Sequence, residues 1–262
     1  MAVHIPAARK LLPQMQVNNI LIISGFDATA SAGILLDSHI AKILNIEPFC
    51  ILPTLSLQNH KNVRGHIIFS QEQITEQLEN IHPLPQFAKI GLLQNSEAII
   101  AVSKFFHKNP NIKIIADTPI ISSSGKKLVN DTTHYIGTFK RHLLPLVYLL
   151  TPNLNELPLF GIITEILQAS CKNVLLKGGH SNNETCTDTL YSNNTQKAFT
   201  LPRIQFEENI RGTGCGLSTA IACFLAQGLD LETAIFKAKQ FIFNGIKNSV
   251  IVNNTTRVMK FI

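Results

Sequence analysis

The chain has 262 residues, 45% of them hydrophobic and 15% charged, with a formal net charge of +6. That balance excludes a disordered chain and leaves enough apolar residues for a large α/β core. The basic residues are scattered, with small knots only at Lys126-Lys127 and Lys140-Arg141, and there is no Trp, so no basic, aromatic-laced stripe marks a nucleic-acid binder.

The first 19 residues carry Arg9 and Lys10 but no apolar signal core, and they read as an extension ahead of the first strand. No apolar run approaches the roughly 18 residues of a membrane span, so the chain is expected to be cytoplasmic. A near-continuous apolar run, Ile20–Ser24, ends in Gly25 and suits a strand covered on both faces. Helical spacing follows over Ala32–Leu44, and then a strand over Phe49–Leu55. Ser70 and Gln73 form a capping box for a helix reaching Ile81. A strand at Phe87–Ile90 precedes a helix at Ser96–His107 that starts from Asn95. The strand Ile112–Ala116 delivers Asp117 at its end. A helix over Thr132–Leu144 leads to the strand Val147–Thr151. Asn173–Lys177 forms the next strand, closed by Gly178-Gly179. Thr187–Tyr191 and Lys197–Leu201 predict a hairpin across Asn193-Asn194, and two helices, Gly216–Gln227 and Leu231–Ser249, complete the chain.

Strand–helix alternation at this spacing predicts a mostly parallel central sheet with helices on both faces. Ligands of such sheets bind beyond the carboxyl ends of the strands. The polar punctuation falls there: Gly25-Phe26-Asp27, Gln58-Asn59, Asp117-Thr118, Thr151-Pro152-Asn153 and Lys177-Gly178-Gly179.

The sharpest local signal is Arg211-Gly212-Thr213-Gly214-Cys215-Gly216 running into an apolar helix. Small residues let successive N–H groups converge, and the helix start adds partial positive charge, which together make a cradle for a phosphoryl group. The same field is expected to depress the Cys215 thiol pKa. Taken alone, the turn equally suits a glycine-rich junction around a small buried cysteine. It is no Walker loop, because G-K-[ST] is missing. Asp117 and Glu156, each just past a strand, could hold Mg²⁺ through waters, and Lys177 could reach a nucleotide phosphate. The five cysteines form no C-x-x-C pair, and the nine histidines show no metal or triad spacing. Only His180 stands near the presumed rim.

In this order the segments resemble the hydroxymethylpyrimidine/phosphomethylpyrimidine kinases of thiamine synthesis, a family of ribokinase-like fold. The likeness runs from Ile20 to about Asn248 through Ser24-Gly25-Phe26-Asp27, Ala32-Gly33-Ile34 with Asp37, Leu57-Gln58-Asn59, Lys89-Ile90-Gly91-Leu92-Leu93, Thr151-Pro152-Asn153-Leu154-x-Glu156, Lys177-Gly178-Gly179-His180 and Gly212-Thr213-Gly214-Cys215. The resemblance implies one ribokinase-like domain over 20–262. It also implies phosphorylation of 4-amino-5-hydroxymethyl-2-methylpyrimidine or its monophosphate by ATP with Mg²⁺. By the family pattern Gly25, Asp37 and Gln58 face the pyrimidine, Leu92 (usually Met) packs on the ring and Pro119 shapes the wall. Asn153, Lys177 and Asn209 handle ATP, and Asp117 and Glu156 handle the metal. Cys215 takes or positions the hydroxyl proton while Gly212, Thr213 and Gly214 cradle the phosphoryl group. A homodimer is the family expectation; no nucleic acid or membrane partner is implied.

The sequence departs from the pattern in several places. The first loop reads Ala28-Thr29-Ala30-Ser31 where the family has P-S-G-G, and Ser123-Ser124-Gly125-Lys126 replaces K-S-G-D. Glu208-Asn209-Ile210-Arg211 replaces K-N-T-H, and the span from Glu156 to Lys177 is short. A pyridoxal-type kinase of the same superfamily, or a weakened homologue that only binds pyrimidine or nucleotide, remain the alternatives.

Overall fold

The computed structural model describes residues 18–59, 63–117, 119–120, 128–129, 131–179, 184–192 and 195–261. The expected extension up to residue 17, Thr118, the segment Ser123–Lys126, His180 and the Asn193-Asn194 turn lie outside the described residues.

An eight-stranded sheet forms the centre. It contains β1 (Asn19–Ile23), β3 (Glu47–Ile51), β6 (Phe87–Ile90), β7 (Lys113–Ala116), β8 (Val147–Leu150), β9 (Asn173–Leu176) and the hairpin β10 (Thr185–Ser192) with β11 (Thr195–Pro202). The spatial order is β11-β10-β9-β8-β7-β6-β1-β3, parallel from β9 to β3 and antiparallel at the hairpin. The strands are apolar on both sides because both sides are covered. In β1, Leu21 and Ile23 point into a core with Ile74, Leu78, Val102 and Phe106, while Ile20 and Ile22 point into a second core with Ile40, Ile221 and Ile235. The first core packs α2 (Gln71–Glu79), α3 (Ser96–Lys108) and α4 (Thr132–Thr138); the second packs α1 (Gly33–Ile43), α7 (Thr213–Ala226) and α8 (Leu231–Lys247). Among the described residues, no helix is long and apolar enough to cross a membrane.

The capping chemistry follows the sequence. Ser70 and Gln73 close their box on α2, and Asn95 accepts the Ala98 N–H at the start of α3. Three expectations need correction. The single strand Phe49–Leu55 is two strands in different sheets. Pro53 has no N–H for the ladder, and β4 (Thr54–Gln58) leaves to pair with β5 (Val63–Ile68) and the two-residue β2 (Phe26–Asp27). The helix over Thr132–Leu144 stays regular only to Thr138, widens over Phe139–Leu143 and tightens into Leu144–Leu146 around Pro145. The last helix pair begins three residues earlier than its apolar periodicity, at Thr213, with left-handed Gly212 (φ 78°) as N-cap. The span between Glu156 and Lys177 holds only two brief helices, α5 (Leu157–Phe160) and α6 (Ile163–Gln168), consistent with its shortness. A small third sheet of β12 (Asn209–Arg211), β13 (Val250–Asn253) and β14 (Thr256–Val258) was not foreseen, since its strands are too short to show a period.

Candidate active site

The carboxyl ends of β6, β7, β8 and β9 lie side by side and deliver Gly91, Asp117, Thr151 and Lys177 to one edge of the sheet. The turn ahead of α7 faces that edge. Gly214 lies so close to Lys177 that a Cβ there would sit 3.2 Å from Nζ. Gly212 is enforced twice over. Its φ of 78° disfavours any side chain, and a Cβ would meet the Ser31 carbonyl oxygen at 2.1 Å. The turn therefore packs backbone to backbone against the first loop. Arg211 joins the same two segments, with Nη2 3.2 Å from Asp27 Oδ2.

Charge is concentrated beneath the turn. Lys177 Nζ donates to Asp117 Oδ1 at 2.6 Å, and Lys89 Nζ donates to Asp37 Oδ2 at 2.6 Å; all four side chains are buried or nearly so. Burial pulls the Lys89 ammonium down, but Asp37, Cys215 and Asp117 outweigh it and hold it at about 12. Burial also works against the Lys177 ammonium, and Asp117 with Glu156 reverses it to a net rise. For Asp117, Lys177 and Lys89 overcome the cost of burial and hold the carboxyl below its ordinary range. Glu156 moves the other way, raised by burial and by Asp117 despite Lys177. Its Oε2 accepts the Asn153 N–H at 3.1 Å, while Asn153 Oδ1 accepts the N–H groups of Asn155 and Glu156 at 2.9 Å each. Asn153 bridges directly to Lys177, so two of the three residues expected to handle ATP stand on neighbouring strand ends.

Three buried carboxyl groups (Asp37, Asp117, Glu156) stand with two ammoniums (Lys89, Lys177), and among the described residues Glu156 has no ion pair of its own. Among the described residues no group of three His, Cys, Asp or Glu side chains could cage a metal. Two carboxyl groups, one of them without an ion pair, instead fit a hydrated Mg²⁺ that completes its shell with water and phosphate oxygens. Asp117 and Glu156 are the residues that would hold it.

Two expectations change here. The Cys215 thiol is not depressed but pushed up to about 12, chiefly by burial and then by Asp117 and Asp37, with Lys89 and Lys177 opposing. Although the residue keeps partial exposure, the crowd around its sulfur decides; the helix-start field is weaker than this desolvation. The thiol and the Asp117 carboxyl influence one another electrostatically. Asp37 offers no carboxylate to a ligand, because it is wholly buried against Lys89, Thr219 and Ser24. An unpaired carboxylate could not be buried at that depth.

On the substrate side, Gly25 lies against Leu92 and Thr54, a Cβ there standing 3.5 Å and 3.0 Å from their side chains. Leu92 is half-buried beside the first core, and Pro119 is half-buried at the end of β7. Gln58 lines a different space. It faces an open cavity of about 400 Å³ on the small sheet, with Phe26, Ala28, Ser56, Asn59 and Arg64 around it. Neither Cys215 nor Leu92 lines that cavity. Asn209 is exposed in β12, where its N–H donates to the Thr255 carbonyl. The Gly178-Gly179 loop is anchored from outside. Gly178 N–H donates to Asp188, which is paired to buried Lys239, and Arg203 holds the Gly179 carbonyl at 2.9 Å.

Lys89, Thr219 and Ser24 carry no role in the sequence expectations. The available signal was Lys89 itself, a lone charge inside the apolar strand Phe-Ala-Lys-Ile, since a charge in a two-faced strand must find a buried partner.

The family model described as phosphomethylpyrimidine kinase matches residues 27–260. The hydroxymethylpyrimidine/phosphomethylpyrimidine kinase of Aquifex aeolicus is 29% identical over 92% of this chain and 99% of that protein. The thiamine biosynthesis bifunctional protein ThiED of Geobacter sulfurreducens is 28% identical over 87% of this chain, which spans about half (49%) of that longer protein. Among solved structures, phosphomethylpyrimidine kinase from Clostridium difficile aligns with TM-score 0.75 and 28% identity, over 87% of this chain and 99% of that one. The ADP complex of Bacillus subtilis pyridoxal kinase aligns with TM-score 0.82 over 94% and 97%, and at 23% identity it speaks for the fold alone.

Proposed function

The chain belongs to the phosphomethylpyrimidine kinase family, and from that premise we propose that it transfers the γ-phosphoryl group of ATP to 4-amino-5-hydroxymethyl-2-methylpyrimidine, to its monophosphate, or to both. The carrying observation is the Gly212–Gly216 helix start set directly over the Asp117–Lys177 pair. In the transfer the acceptor oxygen bonds to the γ-phosphorus, the bond to the bridging oxygen breaks, and ADP leaves. The amides of the turn and the Lys177 ammonium face the charge that spreads over the transferring group. Mg²⁺ bound beside Asp117 and Glu156 would neutralise phosphate oxygens. Cys215, a neutral thiol beside Asp117, holds the incoming hydroxyl in line rather than acting as a thiolate base. Because the transition state is loose, the hydroxyl proton leaves late and needs little basicity from its acceptor.

An ATP-consumption assay with the pyrimidine alcohol, its monophosphate and pyridoxal, run beside Cys215→Ala, tests the proposal. Turnover on a pyrimidine that falls about 10²-fold in kcat in the variant is the expected result. Turnover on pyridoxal alone reassigns the substrate. No turnover on any of the three makes the chain a binding homologue.

A further inference from the structure

Beneath the transfer turn, three buried side chains form a chain of contacts that the proposed chemistry does not touch. Lys89 lies within β6, Asp37 within α1 and Thr219 within α7, and each is fully buried. Lys89 Nζ donates to Asp37 Oδ2 at 2.6 Å, and the Thr219 hydroxyl donates to Asp37 Oδ1 at 2.7 Å. The same hydroxyl lies 2.9 Å from the Cys215 carbonyl oxygen, one helical turn earlier. A hydroxyl has one proton, so the charged carboxylate takes the larger share and the carbonyl the rest.

A buried ion pair is a poor source of stability compared with apolar side chains of similar volume. What it supplies here is directional. Lys89 has no slack, because a Cβ on Gly91 would lie 2.9 Å from its Nζ and 2.4 Å from Ser24 Oγ. The far side of the turn is equally tight, with a Cβ on Gly216 2.9 Å from Ile242 Cδ1. We infer that Lys89, Asp37 and Thr219 are a positioning unit that fixes the rotation and depth of the first turn of α7 against the ends of β1 and β6, and so aims the amides of residues 213–216. The inference rests on the kinase proposal for what those amides do, but not for where they are held.

Thr219→Val removes the link to α7 while leaving the Lys89–Asp37 pair intact, and Thr219→Ser keeps the hydroxyl. With the pyrimidine alcohol and ATP, the Val variant is expected to lose at least about tenfold in kcat, with both KM values changed less than about threefold. The Ser variant is expected to stay within about twofold of the parent. Hydrogen exchange of the amides at 213–217 should accelerate in the Val variant alone. Should the Val variant not fold, Thr219→Ala, which removes the same hydroxyl, is measured in the same two ways with the same split expected. Parental kcat and exchange in the Val variant, or a Ser variant as impaired as Val, overturns the inference, as does a loss confined to KM. If the parent chain consumes no ATP, the kinase proposal fails, and the exchange rates alone decide: equal exchange in the parent and Val chains overturns the positioning role.

Discussion

At the scale of single residues, burial decides the chemistry more than type does. Cys215 was expected to have a depressed pKa and to take or position the hydroxyl proton, and Asp37 to face the pyrimidine. Packing makes one a neutral thiol and the other half of an internal ion pair. Lys89 shows the same effect from the stabilising side. Its ammonium is held at about 12 against an ordinary 10.5. A group raised in the folded state contributes stability that is fully present below its unfolded pKa and lost as pH rises through the folded one. Stability is therefore expected to fall between about pH 10.5 and 12. Lys89→Met should remove that alkaline step and, by leaving Asp37 unpaired, lower stability by about 3–5 kcal/mol. Urea denaturation of both chains across that pH range checks both effects. A parental curve flat through pH 12 would contradict the assignment.

At the scale of elements, the transfer turn is shaped as much by what it packs on as by its own glycines. The left-handed Gly212 permits the cap, and the Ser31 carbonyl at 2.1 Å from a would-be Cβ forbids any other residue. Gly212→Ala is expected to cost about 2–4 kcal/mol, combining the left-handed penalty with a backbone displacement. Activity should drop even where the chain still folds, because the displaced amides no longer meet the phosphoryl group. Circular dichroism in urea, run beside the ATP assay, separates the two losses. The turn was legible in the sequence because small residues before an apolar helix are a local pattern. Its partner was not, since the first loop departs from the family pattern and nothing in Ala28–Ser31 announces a contact some 180 residues away.

At the scale of the whole molecule, the residues proposed for metal and nucleotide come from strands that are neighbours only in the sheet. Asp117 follows β7, Glu156 follows β8 and Lys177 follows β9. Glu156→Gln keeps the hydrogen bond to the Asn153 N–H but removes a charge. It is expected to raise the Mg²⁺ concentration for half-maximal activity by about tenfold, with little change at saturating metal. A magnesium titration of the two chains reads this, and an unchanged midpoint would exclude Glu156 from the metal's surroundings.

The sequence by itself determined the strand–helix alternation, the two-faced parallel sheet and the identity of most polar residues at the strand ends. Periods of 2 and 3.6, caps such as Ser70 with Gln73, and breakers such as Gly25 are local properties, readable over a dozen residues. Tertiary structure alone decided which of those residues meet. Lys89 finds Asp37 across 52 positions, Lys177 finds Asp117 across 60, and Thr219 finds Asp37 across 182. It also sent β4, with Gln58 at its end, out of the central sheet and into a second one. Desolvation and pairing depend on everything that surrounds a group, and in a parallel sheet those surroundings are assembled from distant segments. The pKa of a thiol or the partner of a buried lysine is therefore a property of the packed molecule, while the strand that carries it is a property of the chain.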